Sequence, residues 1–202
     1  MWRSLKLCVI SASALALVGC DDNRGASKAP VASCAQWTVQ HSRNMPACID
    51  GSFDFPVGRD GVHYIVRPVR EPLLGKTVAM SFEIEGAAEF VALQNEEPKT
   101  GRVRLYIQNS LDDGTRPFGR WWSRDVVLAR GAHTLSAVLV AERDEWSSVY
   151  GQRSKDEAAT FALDVSRAGS IGFTFGGMFA GHGVYATAPA RFVLRSFEVN
   201  GK

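Results

Sequence analysis

Val78-Ala79-Met80-Ser81-Phe82-Glu83-Ile84-Glu85 decides the fold. Apolar side chains hold every second place, and Ala79, Ser81, Glu83 and Glu85 hold the others. A strand sends successive side chains to opposite faces, so this run is apolar on one side and wet on the other. The pattern recurs on both sides of it. Val62, Tyr64 and Val66 alternate with His63, Ile65 and Arg67, and Val103, Leu105 and Ile107 alternate with Arg102, Arg104 and Gln108. Further runs lie at 125–129, 134–140, 170–175 and 191–199, separated by turn residues such as Asp112-Asp113-Gly114 and Arg130-Gly131. About seven to nine alternating strands predict two packed antiparallel sheets.

One stretch departs from the two-residue period. Ala158, Phe161, Ala162 and Val165 stand at i, i+3, i+4 and i+7, one face of a helix. Ser154 and Glu157 fit a capping box at its start, and Arg167 with Gly169 fits its end. The expectation is an all-β, antiparallel, jelly-roll-like β-sandwich with one short helix. That helix should cover an open end of the sandwich and bury Phe161.

The N-terminus carries a different signal. Arg3 and Lys6 precede an apolar run from Leu7 to Val18. A membrane-spanning helix needs about 20 apolar residues to cross roughly 30 Å, so this run has the length of a signal-peptide core instead. It closes on Leu17-Val18-Gly19-Cys20, which resembles the lipobox of bacterial lipoproteins. The resemblance implies that the Cys20 thiol takes a diacylglycerol, that a peptidase cuts before it with Gly19 in its small-residue pocket, and that the new amino group is acylated too. Two or three acyl chains anchor stably, at about 0.8 kcal/mol per buried CH₂. An ordinary cleaved secretory signal and a buried apolar strand are the other readings of the same run. Asp21 resembles an inner-membrane retention signal of enteric bacteria, a rule other lineages do not all follow, so the choice of membrane stays open.

The chain carries 23 basic and 21 acidic residues, and loss of Arg3 and Lys6 with the signal leaves the two signs balanced. The pI near 8.4 is therefore no argument for nucleic acid. Cys8 leaves with the signal and Cys20 is lipidated, which leaves Cys34 and Cys48 as an even pair in an oxidising compartment. A disulfide between them would add roughly 3 kcal/mol in the chain-entropy model. Two free thiols or a metal site are the alternatives. The expected organisation is a signal peptide over 1–19, a lipidated tether over 20–33, a loop-rich segment pinned by the disulfide over 34–61, and a sandwich domain over 62–202.

The last elements run in the order strand 134–140, tryptophan loop 146–151, helix, the run Ile171 to Gly177, and a closing strand from Phe192 to Val199. Over residues 60–200 this layout resembles the jelly-roll sandwiches of carbohydrate-binding modules and galactose-binding-like domains. The resemblance rests on layout and carries over no ligand residue.

Aromatic residues beside arginine are the candidate ligand seat. Arg120-Trp121-Trp122 begins one strand region, and Trp146 and Tyr150 lie in the loop before the helix. Sugar rings pack apolar C–H faces on aromatic planes while their hydroxyls seek polar partners. Adjacent tryptophans in a strand face opposite ways, so one of Trp121 and Trp122 belongs to the core and the other is more exposed. Core or rim packing explains the same aromatics without a ligand. Met178, Phe179 and His182 sit in the glycine-rich stretch 176–183, which lacks a phosphate-loop pattern and reads as a tight loop needing positive φ.

No catalytic residue stands out. There is no G-x-S-x-G elbow, and Glu83 and Glu85 share one solvated strand face. His41, His63, His133 and His182 show no zinc spacing. Asp112-Asp113-Gly114 is a β-turn or a donor set for a structural calcium. The expectation is a non-enzymatic, lipid-anchored extracytoplasmic module, free of cofactor and metal, that binds carbohydrate or envelope glycan through Arg120, Trp121, Trp122, Trp146, Tyr150 and His182. Its partners would be the bilayer, through acylated Cys20, and a glycan or an envelope protein, with no role for nucleic acid. A structural or protein-docking lipoprotein is the alternative, and a glycan-degrading hydrolase a further one.

Overall fold

The computed structural model describes residues 36–58, 61–94, 97–112, 119–177 and 183–201. Along the chain come β1 (Trp37–Gln40), β2 (Cys48–Ile49), β3 (Ser52–Asp54), β4 (Tyr64–Pro68), β5 (Thr77–Gly86), β6 (Phe90–Gln94) and β7 (Glu97–Thr100). They are followed by β8 (Arg102–Asn109), β9 (Arg120–Val127), β10 (Gly131–Val138), β11 (Trp146–Ser148), helix α1 (Ala158–Ser166), β12 (Ala168–Gly176), β13 (Tyr185–Ala186) and β14 (Ala190–Asn200). A 3₁₀ turn, Ala141–Arg143, precedes β11. Among the described residues the fold is all-β with one short α-helix.

The strands form a seven-stranded sheet in the order β11-β9-β8-β12-β4-β1-β2, a four-stranded sheet β10-β5-β14-β3, and a three-stranded sheet β13-β6-β7. Each ladder between named strands is antiparallel. β5 alternates as its sequence predicts: Val78, Met80, Phe82 and Ile84 are buried, and the residues between them are not. Its other face is polar, with Arg195 of β14 bonding Glu83 at 2.5 Å.

The two larger sheets meet through aromatic rings. Phe192 of β14 stacks on Phe82 of β5 and, across the sandwich, on Phe173 of β12, with centroids 5.0 and 5.3 Å apart. Phe53 of β3 stacks on the same Phe192 at 5.2 Å. Truncating a ring at such a centre costs about 3–5 kcal/mol. Val103, Leu105 and Ile107 of β8 are fully buried in this core, as their alternation predicts.

The described part of the expected loop-rich segment, residues 36–58, holds three short strands. β1 pairs with β4 and β2 inside the seven-stranded sheet, β3 pairs with β14, and Trp37, Ile49, Phe53 and Phe55 belong to the core. These strands are only two to four residues long and lie among Pro46, Gly51 and Pro56, so no alternation could accumulate in the sequence.

Helix α1 buries Phe161, which meets Trp121 edge-on at 4.9 Å. The capping box does not form. Glu157 is the N-cap without a side-chain cap bond, and Ser154 is buried and donates its hydroxyl to the Ala141 carbonyl at 3.3 Å. Ser154 thus ties the helix approach to the 3₁₀ turn. Among the described residues, no helix is long and apolar enough to cross a membrane.

Candidate functional site

The seven-stranded sheet buries residues on both faces. Ile65, Leu105, Ile107 and Trp121 point into the sandwich, while Tyr64, Val66, Tyr106 and Trp122 form a second buried cluster on the outer face. Strand register aligns part of that cluster in one row: Trp122 opposite Tyr106, Tyr106 opposite Gly172, and Gly172 opposite Val66. Gly172 is required by close approach, because a Cβ there would stand 2.1 Å from the Ile65 carbonyl oxygen.

A β-bulge sets the neighbouring row. Arg104 pairs with Asp125 but Tyr106 pairs with Trp122, so β9 carries one residue more than β8 between these pairs. The Ser123 hydroxyl lies within the bulge, accepts the Leu105 N–H at 3.0 Å and donates to the Arg124 carbonyl at 2.7 Å. With the extra residue, Trp122 and Asp125, three apart in sequence, both face outward.

Beside this cluster lies a groove of about 450 Å³. Tyr64 and Tyr106 form its floor, with ring centroids 5.0 Å apart and edge-on. Both rings are buried, so the accessible polar groups of the groove stand at its rim. Gln40 and His41 line the groove at the end of β1, and Gln108, Asp112 and Arg120 line it at the ends of β8 and β9. Arg120 grips Asp112 in a two-pronged ion pair, Nε to Oδ2 at 2.7 Å and Nη2 to Oδ1 at 2.8 Å. The Gln108 amide donates to the Asp112 carbonyl at 3.2 Å and accepts the Ser170 hydroxyl at 3.3 Å.

Electrostatics keep the floor neutral. Burial pushes the Tyr64 phenol up; the Arg120 charge opposes this and the Asp112 charge adds to it. Burial also drives the Tyr106 phenol far above the usual range, with Tyr64 adding to it. Arg120 is held protonated: burial works against its charge, but the bond to Asp112 and the charges around it outweigh burial. The groove therefore presents neutral hydroxyls, amides and a compensated ion pair. Asp112 is the one carboxylate among its described lining residues. Among the described residues, no group of three or more His, Cys, Asp or Glu is placed to hold a metal ion.

The residues expected to bind ligand separate. Arg120 lines the groove. Trp121, Trp122 and Trp146 are 2, 1 and 0 % exposed, so the expectation that one of Trp121 and Trp122 is the more exposed is corrected: the pair does face opposite ways, but both faces of the sheet are covered there. Trp121 donates its indole N–H to Asp164, and Trp146 donates to the Val138 carbonyl. Tyr150 is exposed on the turn after β11 and does not line the groove. His182, Met178 and Phe179 lie outside the described residues, as do Cys20, Cys34, Asp113 and Gly114. Gly183, at the end of the glycine-rich stretch, has φ +85°, the positive value expected of that loop.

Tyr64 and Tyr106 were not singled out by sequence. The signal for Tyr106 is an aromatic between Arg104 and Gln108 on the face of β8 that alternation marks as wet. An aromatic there must either be covered or meet a partner. No protein-family model, curated protein or solved structure matches this chain.

Proposed function

We propose that this chain is a lipid-anchored, non-enzymatic binding module of the bacterial cell envelope, and that the groove over Tyr64 and Tyr106 holds a carbohydrate or envelope glycan. The anchor is acylated Cys20, and the domain faces the periplasm or the outside. A disulfide between Cys34 and Cys48 belongs to the same reading and would tie the segment before β1 to β2.

The observation that carries the glycan reading is the Arg120–Asp112 pair standing beside two neutral phenols and the Gln108 amide. A sugar presents several hydroxyls that donate and accept in fixed directions. Here planar donors and acceptors are held by one another before any ligand arrives, which lowers the ordering cost of binding. The groove volume falls in the range of roughly 300–1,000 Å³ usual for small-molecule sites. The jelly-roll-like layout points the same way.

The test is a glycan array, peptidoglycan fragments included, probed with the full chain in detergent solution. Saturable binding to at least one glycan is the expected result. Binding to none overturns the reading and favours a lipoprotein that docks an envelope protein.

A further inference from the structure

A second cleft, unconnected with the glycan reading, opens where the two larger sheets part. It has a volume of about 130 Å³. Arg67 of β4 lies on the core-facing side of its strand, two residues after buried Ile65. At this end of the sandwich the core gives way to solvent, and the guanidinium sits against two rings, one from each sheet. Its Cζ is 5.7 Å from the Trp37 ring centre on β1 and 5.2 Å from the Phe197 ring centre on β14. These contacts hold the cation by its faces. They leave the N–H edges unused, and among the described residues the Arg67 guanidinium has no hydrogen bond or ion pair. Arg120 and Arg153, by contrast, each engage a carboxylate through two nitrogens.

The walls decide what the fork takes. Leu73, Ile171 and Val199 line the cleft and are apolar. Arg70 adds a second positive charge, and the carboxylate of Glu71 is engaged by Lys76. A planar guanidinium matches a carboxylate with two parallel hydrogen bonds, a geometry that lysine cannot supply. The cleft is smaller than sites for drug-sized ligands, so it takes a small molecule.

We infer that this cleft binds a small aliphatic carboxylate, with Arg67 gripping its two oxygens and Leu73, Ile171 and Val199 covering its chain.

Butyrate, its neutral isostere butyramide and inorganic phosphate are titrated separately into the full chain in detergent solution, following the Arg67 Nε–Hε resonance by nuclear magnetic resonance. Butyrate should shift that resonance saturably, while butyramide and phosphate should not. Arg67→Gln should weaken butyrate binding at least about tenfold, in line with a charge-assisted hydrogen bond, and Arg67→Lys should not restore it. No saturable shift with butyrate, an equal response to butyramide, or tighter binding of phosphate overturns the assignment. The titration of the unaltered chain decides the matter even where a variant fails to fold.

Discussion

Asp164 of helix α1 accepts the indole N–H of Trp121 on β9 at 2.9 Å, and both residues are buried. Its second oxygen accepts the Asn109 amide of β8 at 2.8 Å. One carboxylate thus ties the helix to two neighbouring strands, at the end of the sheet where Arg120 begins β9. Helix position and groove geometry are therefore mechanically linked.

Asp164→Ala leaves two buried donors without an acceptor. Each orphaned group costs about 1–3 kcal/mol, so the variant should lose about 3 kcal/mol of stability. Urea denaturation measures it. A loss below about 0.5 kcal/mol would mean the helix is held by Phe161 packing alone, since surface substitutions away from special features fall in that range.

The acid limb of stability should involve the Arg102–Asp125–Arg104 cluster on the outer face. Burial pushes the Asp125 carboxyl up, but the Arg102 bond at 2.5 Å and the Arg104 and Arg102 charges outweigh burial and hold it below its ordinary value. A depressed value means stability that is present above the unfolded value, about 3.9, and is lost as pH falls through the folded one. Asp125→Asn should flatten the stability profile below about pH 4 and leave its slope above pH 5 unchanged. Denaturant titrations at stepped pH check this.

The alkaline limb should involve the groove floor. Folding raises the Tyr64 and Tyr106 phenols, so the neutral form is favoured in the native state. Their contribution is present below the unfolded value of about 10 and is lost as pH rises above it. Spectrophotometric titration should show Tyr106 ionising only with unfolding and Tyr64 ionising above the ordinary phenol range. Replacing both by phenylalanine should remove that absorbance step.

Cys20→Ala should release the chain from membranes and block processing before residue 20, as two or three acyl chains are what make anchoring stable. Fractionation and intact mass of the chain from cells read both effects. Retention of membrane binding with unaltered cleavage contradicts the anchor.

Much of the fold is legible where strands are long and wet on one side. β5 and β8 each bury every second residue on the core side, and the i, i+3, i+4 spacing around Phe161 marks the helix. Legibility fails where both faces are covered. In β4, Tyr64, Ile65 and Val66 are all buried, so alternation there does not separate core from outer cluster. In β9 the bulge at Ser123 shifts the period by one residue between Trp122 and Asp125. The site was legible only at Arg120. Tryptophans draw attention as ligand platforms, yet their large apolar area and single N–H are what a core uses best when a partner such as Asp164 is at hand. Tyr106, flanked by Arg104 and Gln108, is the better marker, because its face is otherwise polar.

The central claim is tested most directly by measuring the affinity of the best array glycan for the unaltered chain and for Gln108→Ala, His41→Asn and Tyr150→Ala. Gln108 and His41 line the groove, and Tyr150 is exposed away from it. Loss of one hydrogen bond is about 1 kcal/mol, so Gln108→Ala and His41→Asn should each weaken binding about fivefold, with Tyr150→Ala unchanged. Full affinity in both groove variants, or a loss confined to Tyr150→Ala, would contradict the account and move the site to the turn after β11.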